Sequence, residues 1–594
     1  MPGIAGIISQ SWNDAFPRRM KAMVDVMASE DFYRSETHFV REMGLCAGFV
    51  GFKGSTDGIF SNERDIWLVF SGECFADSEL ATGERLIGLY EEEGEKFVEG
   101  LNGLFSGLLI DKQKQKVLLF NDRYGMQRIY CHQKDGEFYF AGEAKALLRI
   151  LNEPRQFEPE GVADFLTFGC TLDWKTLFRG IEILPGGSLW SFENGVCRKG
   201  KYFSPETWES QPQLGPEEFE ERLQDIFKRI LPRYFESSSK IGVALTGGLD
   251  TRMIMACRPQ NNGHTTCYTF SGKNGQTLDD KIAARVAAAS SLEHNLLRLD
   301  DDFFSGFAAH ADKTVFATDG CAGVFNAHEI YFNRRARQLA PIRLTGNYGS
   351  EILRGISTFK QVPLEPQLFS PSWRQKINTR AQTLAGHKMK PMTFAAFKEI
   401  PWNLFGNLEA GRSQLQFRTP YLDNELVALA FQAPEQIRNS SLPSFRLVQA
   451  NDPALSAIPT DRGFAGSNSG LTFLWRRFFA EVTFKLDYYN TAGLPGPLSS
   501  FDPVLKGVTS GFGIFGLHKF LRYRSWFRKE LADYVCEVFA SLQKRLNDFW
   551  NPHFVNRMAS EHISGRKNYS SEINAVLTLD AVERLLFRGP AAPV

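Results

Sequence analysis

Six consecutive residues, Thr246-Gly247-Gly248-Leu249-Asp250-Thr251, have the types and spacing to do chemistry. They follow the apolar run 241–245 and open a helical pattern over 250–256. Two adjacent glycines let a backbone turn tightly and approach a ligand closely. A helix starting just beyond them offers free N–H groups and the positive end of its dipole. With the hydroxyls of Thr246 and Thr251, the segment can cradle a pyrophosphate. An aspartate beside a polyanion makes sense if it holds a divalent cation that bridges phosphate oxygens, which gives Asp250 a metal role. The G-K-[ST] ending of a Walker A loop is absent. Taken alone, the six residues also fit a plain strand–helix turn with Asp250 as a dipole partner.

A second loop repeats the logic. Leu344-Thr345-Gly346-Asn347-Tyr348-Gly349-Ser350-Glu351 follows a predicted strand over 342–345. Gly346 and Gly349 open the backbone, and Glu351 supplies a carboxylate for a second Mg²⁺ contact or caps the next helix.

These loops need a scaffold. Over the first ~200 residues, short apolar runs recur at 4–8, 66–70, 104–110, 116–121, 138–141 and 188–192, punctuated by Gly, Asp and Asn. That is strand-and-turn grammar. A helix is predicted over 83–93 with Thr82 as its N-cap. Residues 204–218, rich in Pro, Ser and Gln, read as a linker, and an amphipathic helix is predicted from 216 to about 235. Beyond it, strands at 241–245, 266–270, 295–299 and 342–345 alternate with helices at 250–256 and 278–290. Such alternation predicts a parallel sheet with helices on its faces. After about residue 355 the pattern is mainly helical.

The whole chain sets bounds. Its 594 residues predict two large domains or three smaller ones. Lys plus Arg and Asp plus Glu both number 68, so no bulk field argues for nucleic acid or an anionic membrane. The nine cysteines form no C-x-x-C pair, which fits a reduced cytosolic protein rather than a zinc knuckle or redox motif. No apolar run approaches the ~18 residues a membrane span needs, and the start lacks a basic signal-type region. The expected location is the cytoplasm. His310, His328 and Glu329 lack the H-E-x-x-H spacing of zinc hydrolases. Residues 515–529 interleave basic and aromatic residues, which fits a packed helix with a solvated basic face better than a membrane or nucleic-acid surface.

The 246–251 loop resembles the S-G-G-x-D-S loop of the ATP-pyrophosphatase superfamily, with Thr in place of each Ser. Three further stretches resemble the asparagine synthetases. Asn121-Asp122-Arg123-Tyr124-Gly125-Met126-Gln127-Arg128-Ile129-Tyr130, with Phe140-Ala141-Gly142-Glu143-Ala144-Lys145-Ala146-Leu147, is similar to the D-R-x-G-x-x-P-L-Y and F-A-S-E-x-K-A-L segments of their glutaminase-type domain. The 344–351 loop is similar to S-G-x-G-x-D-E, and Arg418-Thr419-Pro420-Tyr421-Leu422-Asp423 to R-x-P-F-L-D. Order and spacing match as well.

The resemblance implies an α/β protein: an Ntn-type α+β sandwich over residues 1–203, then an α/β ATP-pyrophosphatase domain with a helical extension over 219–594. It places Leu245, Thr246, Gly247, Gly248, Asp250, Thr251, Ser271, Thr345 and Gly346 around ATP, and Asp250 and Glu351 on Mg²⁺. If Asn347 is a one-residue insertion, Tyr348 falls where the β-lactam synthetases of this family place a catalytic Tyr. Without the insertion, Asn347 replaces a functional Glu. A Tyr needs its pKa of about 10 depressed to act as a base. Arg462, in the loop 459–464 where relatives use Lys, would stabilise a developing anion.

Glutamine-dependent relatives begin Met-Cys-Gly-Ile-x-Gly, and their Cys attacks glutamine. This chain reads Met1-Pro2-Gly3-Ile4-Ala5-Gly6, so the first domain is expected to be an inactive glutaminase. The implied reaction is adenylation of a small-molecule or peptide carboxylate by ATP, then transfer to an amine or ammonia with release of AMP and pyrophosphate. An ammonia-dependent asparagine synthetase and a non-catalytic scaffold are the alternatives. A homodimer is the assembly the resemblance allows.

Overall fold

The computed structural model describes the chain except residues 77–78, 152–154, 194–195, 260–263, 274, 386–388, 464–470, 494–516, 543–545 and 589–594. The first 203 residues supply thirteen strands: β1 (Gly3–Ile8), β2 (Tyr33–Val40), β3 (Leu45–Phe52), β4 (Gly58–Ser61), β5 (Ile66–Ala76), β6 (Glu79–Leu80), β7 (Asn102–Asp111), β8 (Lys116–Asn121), β9 (Tyr130–Lys134), β10 (Glu137–Ala141), β11 (Glu182–Ile183), β12 (Ser188–Glu193) and β13 (Val196–Lys201). They form two antiparallel sheets, ordered β11-β9-β10-β1-β3-β2 and β13-β12-β8-β7-β5-β4. All the strands expected in this region are present.

The two sheets stack on an apolar layer that includes Ile4, Phe49 and Phe140 from one and Val69, Leu108 and Leu119 from the other. The outer face of the first sheet carries the helix Phe16–Met27, which buries Phe16, Met20, Met23 and Met27. The outer face of the second carries the helix Gly83–Glu93, opened by Thr82 accepting the Arg85 N–H. The result is a helix–sheet–sheet–helix sandwich.

The second half is built on a parallel sheet ordered β16-β15-β14-β17-β18, with β14 (Ile241–Ala244), β15 (Thr265–Ser271), β16 (His294–Arg298), β17 (Ile342–Thr345) and β18 (Gln416–Arg418). The central strand β14 pairs with β15 and β17 and is buried along its length, as a short continuous apolar run requires. The helices Pro216–Tyr234 and Leu249–Ala256 share its core on one side, and Ala336 of the helix Ala327–Leu339 packs on Ala244 and Tyr268 on the other. Strand β18 lies within the stretch expected to be helical.

Two expectations need correction. The linker 204–218 is packed chain: the short helix Glu206–Glu209 buries Trp208 against Phe203, Phe397 and Phe431, and the Leu214 N–H donates to the Gln432 carbonyl. The basic-aromatic stretch, of which 515–516 fall outside the described residues, packs by Tyr523, Trp526 and Phe527 and leaves Lys519 and Lys529 exposed, but only Tyr523–Trp526 is helical.

The two halves share one hydrophobic core. It runs from Met20, Leu147 and Phe165 of the sandwich to Val315, Val576 and Leu579 of the second half. Arg128 also crosses, donating to the Pro401 carbonyl and lying 3.4 Å from the Phe405 ring centroid. Among the described residues, no helix is long and apolar enough to cross a membrane.

Candidate functional site

Strand β14 delivers the first loop to the carboxyl edge of the sheet. Gly248 is the N-cap of the helix Leu249–Ala256, and no side chain caps that end. Thr246 Oγ1 accepts from the Gly248 N–H at 3.3 Å and lies 3.4 Å from Thr251 Oγ1. The Gly247 N–H donates to Asp279 Oδ1 at 2.8 Å. A Cβ on Gly247 would fall 2.7 Å from that oxygen, so any larger residue would have to displace the Asp279 carboxylate. Burial and the nearby Asp461 push the Asp279 carboxyl up to about 6.

The second loop leaves β17 and presses on the first. A Cβ on Gly349 would lie 2.5 Å from Asp250 Cγ, and one on Gly346 2.8 Å from the Thr251 nitrogen. Between them Tyr348 takes a left-handed backbone, φ 74°. The helix Gly349–Arg354 then turns two groups onto Asp250: Arg354 Nη2 donates to both carboxylate oxygens at 2.8 and 2.7 Å, and Ser350 Oγ to one at 3.1 Å. Glu351 is buried beside this pair, and burial followed by the Asp250 charge pushes it up to about 7. The 418–423 motif braces both loops, because Tyr421 Oη donates to the Asp250 carbonyl at 2.7 Å and Thr419 Oγ1 to the Asn347 carbonyl at 2.9 Å.

Both loops open on one cleft of about 490 Å³, a size that suits a small-molecule ligand. Leu245, Thr246, Asp250, Thr251, Thr345, Gly346, Tyr348 and Glu351 all line it. Gly247 and Gly248 belong to the same turn without lining it.

Two expected residues are placed otherwise, and a third, Tyr348, lines the cleft with its phenol held protonated. Ser271 is buried, and its hydroxyl donates to Asp280 Oδ2 at 2.6 Å, holding the capping box of the helix Leu278–Ala289. Arg462 turns away from the cleft: it pairs with Glu481 at 3.2 Å and stacks on Phe484, 3.6 Å from the ring centroid. Burial pushes the Tyr348 phenol up despite the charge of Arg412, the opposite of what a base requires.

The sequence reasoning missed the inner end of the cleft, where His328, Glu329 and Arg343 line the wall. Arg343 Nη1 donates to Asn333 Oδ1 at 2.8 Å and lies 3.9 Å from Glu329 Oε2. Its guanidinium sits between the Phe270 and Phe417 rings, 4.8 Å from each centroid, and its Nε has no partner among the described residues. Burial acts to raise the Glu329 carboxyl, but His328 and Arg343 outweigh it and hold the group below its ordinary range. The available signal was Arg343 itself, a charge between the apolar residues Ile342 and Leu344 of the buried strand β17.

In the first domain, a separate cleft of about 80 Å³ lies beside Pro2, Asp57, Gly72 and Glu73. Glu73 is engaged across the domain boundary by Arg418 Nε at 2.8 Å and Nη2 at 2.5 Å. Burial pushes the Cys46 thiol up to about 12 and the Cys74 thiol higher, so both stay protonated near neutrality.

The comparisons agree with this architecture. A glutamine amidotransferase domain matches residues 1–203. The chain is 22% identical over 526 residues to asparagine synthetase [glutamine-hydrolyzing] 2 of Bacillus subtilis, covering 74% of this chain and 68% of that protein. It is 22% identical over 447 residues to asparagine synthetase [glutamine-hydrolyzing] 3 of the same organism, covering 65% and 71%. It is 23% identical over 315 residues to putative asparagine synthetase [glutamine-hydrolyzing] 2 of Methanocaldococcus jannaschii, covering 50% of this chain and 60% of that protein. With two glycine loops at the edge of a parallel sheet and a glutamine amidotransferase domain over residues 1–203, the chain is asparagine-synthetase-like.

Proposed function

We propose that this chain activates a carboxylate with ATP and transfers the acyl group to an amine or ammonia. The observation that carries the reading is the meeting of the two glycine loops across one cleft, with Asp250 and Glu351 facing the same space. In this reading the carboxylate oxygen attacks the α-phosphorus and pyrophosphate leaves toward Thr246, Thr251 and the helix N-terminus. The amine then attacks the acyl carbon, the bond to the phosphate oxygen breaks, and AMP leaves. Holding both partners in one cleft contributes proximity, and the fixed N–H groups contribute electrostatic stabilisation.

The donor set fits Mg²⁺. Two carboxylates share the cleft, and the Asp250 charge helps push Glu351 up to about 7, a repulsion a dication would relieve. Asp250 and Glu351 would hold the ion together with phosphate oxygens, and it would neutralise charge on the phosphates. Arg354, already paired with Asp250, would hold that carboxylate's orientation.

The amine is read as coming from solution or substrate. Pro2 has no thiol, the Cys46 and Cys74 thiols stay protonated, and Glu73 is occupied by Arg418.

The test is ATP–pyrophosphate exchange with Mg²⁺ against amino acids, β-amino acids and peptide carboxylates, run beside Asp250→Asn. Exchange that depends on one acid and falls by about 100-fold or more in the variant is the expected result. Absence of both exchange and ATP binding would overturn the reading and leave a scaffold.

A further inference from the structure

We propose that the inner end of the cleft binds a free amino acid as a zwitterion, its carboxylate on Arg343 and its ammonium on Glu329, and that this amino acid is the amine the acyl group is transferred to. The assignment rests on the ligase reading above and names its second substrate.

The charges at this end come as an opposed pair. Arg343 and Glu329 line the same cleft as the two loops, with closest atoms 3.9 Å apart, at the outer limit of an ion pair. Arg343 is 8% exposed, and its Nε has no partner among the described residues. A guanidinium carries five donors in a planar fork, and buried donors are normally satisfied. The Phe270 and Phe417 rings fix its plane. His328 is already committed, with Nδ1 3.1 Å from Tyr523 Oη and Nε2 3.5 Å from Glu329 Oε1. Asn407 faces the same space, its Oδ1 accepting from Asn326.

Complementarity narrows the ligand. An apolar group would leave both charges desolvated with nothing new to pair with. A simple anion would meet Glu329, and a simple cation would meet Arg343. A molecule carrying both signs a few ångströms apart satisfies both, and a free amino acid is the smallest common one. Arg343 lies two residues before Thr345 on the same face of β17, roughly 7 Å along the strand. An amino acid held between Arg343 and Glu329 therefore lies next to the second loop, where the activated acyl group would lie. On transfer the nitrogen–carbon bond forms and the bond from the acyl carbon to the AMP oxygen breaks. AMP keeps that electron pair, and the ammonium's two departing protons go to solvent. The product is a secondary amide that keeps a free carboxylate.

Calorimetric titration of the full chain, with Mg²⁺ and α,β-methylene ATP, tests this without chemistry. The probes are the standard amino acids, with the methyl ester and the N-acetyl derivative of any that binds. At least one amino acid should bind at least about tenfold more tightly than either derivative. Arg343→Met should erase the preference for acid over ester. Glu329→Gln, which keeps the side-chain shape, should erase the preference for free over acetylated amine, so one folded variant suffices. Absence of binding by every amino acid overturns the proposal. So does an ester bound as tightly as its acid, or discrimination kept in both variants. Amino-acid binding with neither pyrophosphate exchange nor ATP binding would keep this site and remove the ligase reading, whereas exchange without amino-acid binding would do the reverse.

Discussion

Tyr348 holds a left-handed backbone at φ 74° and buries its phenol, whose ionisation burial disfavours. A non-glycine residue in that region is uncommon and is kept by its surroundings. Here those surroundings are the turn that brings Gly349 onto Asp250 and the packing of the ring in the core of the second half. The side chain is thus a shape element of the loop. Tyr348→Phe should keep pyrophosphate exchange within about threefold of the parent, with an unchanged alkaline limb of the pH profile. A 100-fold loss would restore the phenol as an acid–base group. The identity of this residue was legible in the sequence and its protonation was not, because burial depends on chain segments far away. Ser271 and Arg462 failed in the same way: their hydrogen-bond and stacking partners, Asp280 and Phe484, are chosen by the fold.

Among the elements, the helix Ser570–Val582 buries Glu572 with no ion-pair partner among the described residues, and its Oε1 accepts the Glu365 N–H at 2.9 Å. Burial pushes this carboxyl up to about 7 from 4.5. The folded chain therefore holds its proton up to about pH 7, while the unfolded chain releases it above 4.5. Stability from this group is present below 4.5 and is lost as pH rises through 7. Glu572→Gln should leave the thermal midpoint nearly unchanged at about pH 4 and raise it at about pH 8, with a gain of about 3 kcal/mol at most. Equal midpoints at both pH values would show that water reaches the carboxylate. Strands β14 to β17 could be read from the sequence because each is an apolar run followed by a helical pattern. Strand β18 could not, since it has three residues and joins the sheet some seventy residues after β17.

Across the whole molecule, Arg418 ties the halves together. It grips Glu73 of the sandwich with two nitrogens and donates to the Tyr234 and Glu236 carbonyls with the third. Removing one partner of a buried pair leaves the other charge uncompensated. Arg418→Met should destabilise the full chain by about 3 kcal/mol or more in denaturant melts. Removing Glu73 as well should recover part of that loss. A single variant as stable as the parent would show that the domain boundary is wet. The motif containing Arg418 was visible in the sequence, but its reach to Glu73, 345 positions earlier, was not.

The shared core also bears on how such a chain can evolve. Met20, Leu147 and Phe165 belong to one apolar cluster with Val315, Val576 and Leu579, so this part of the core is closed only by both halves together. A gene that lost residues 1–203 would present that apolar surface to water, and its product would aggregate. Selection on packing alone can therefore hold the first domain in the chain, whatever chemistry it carries.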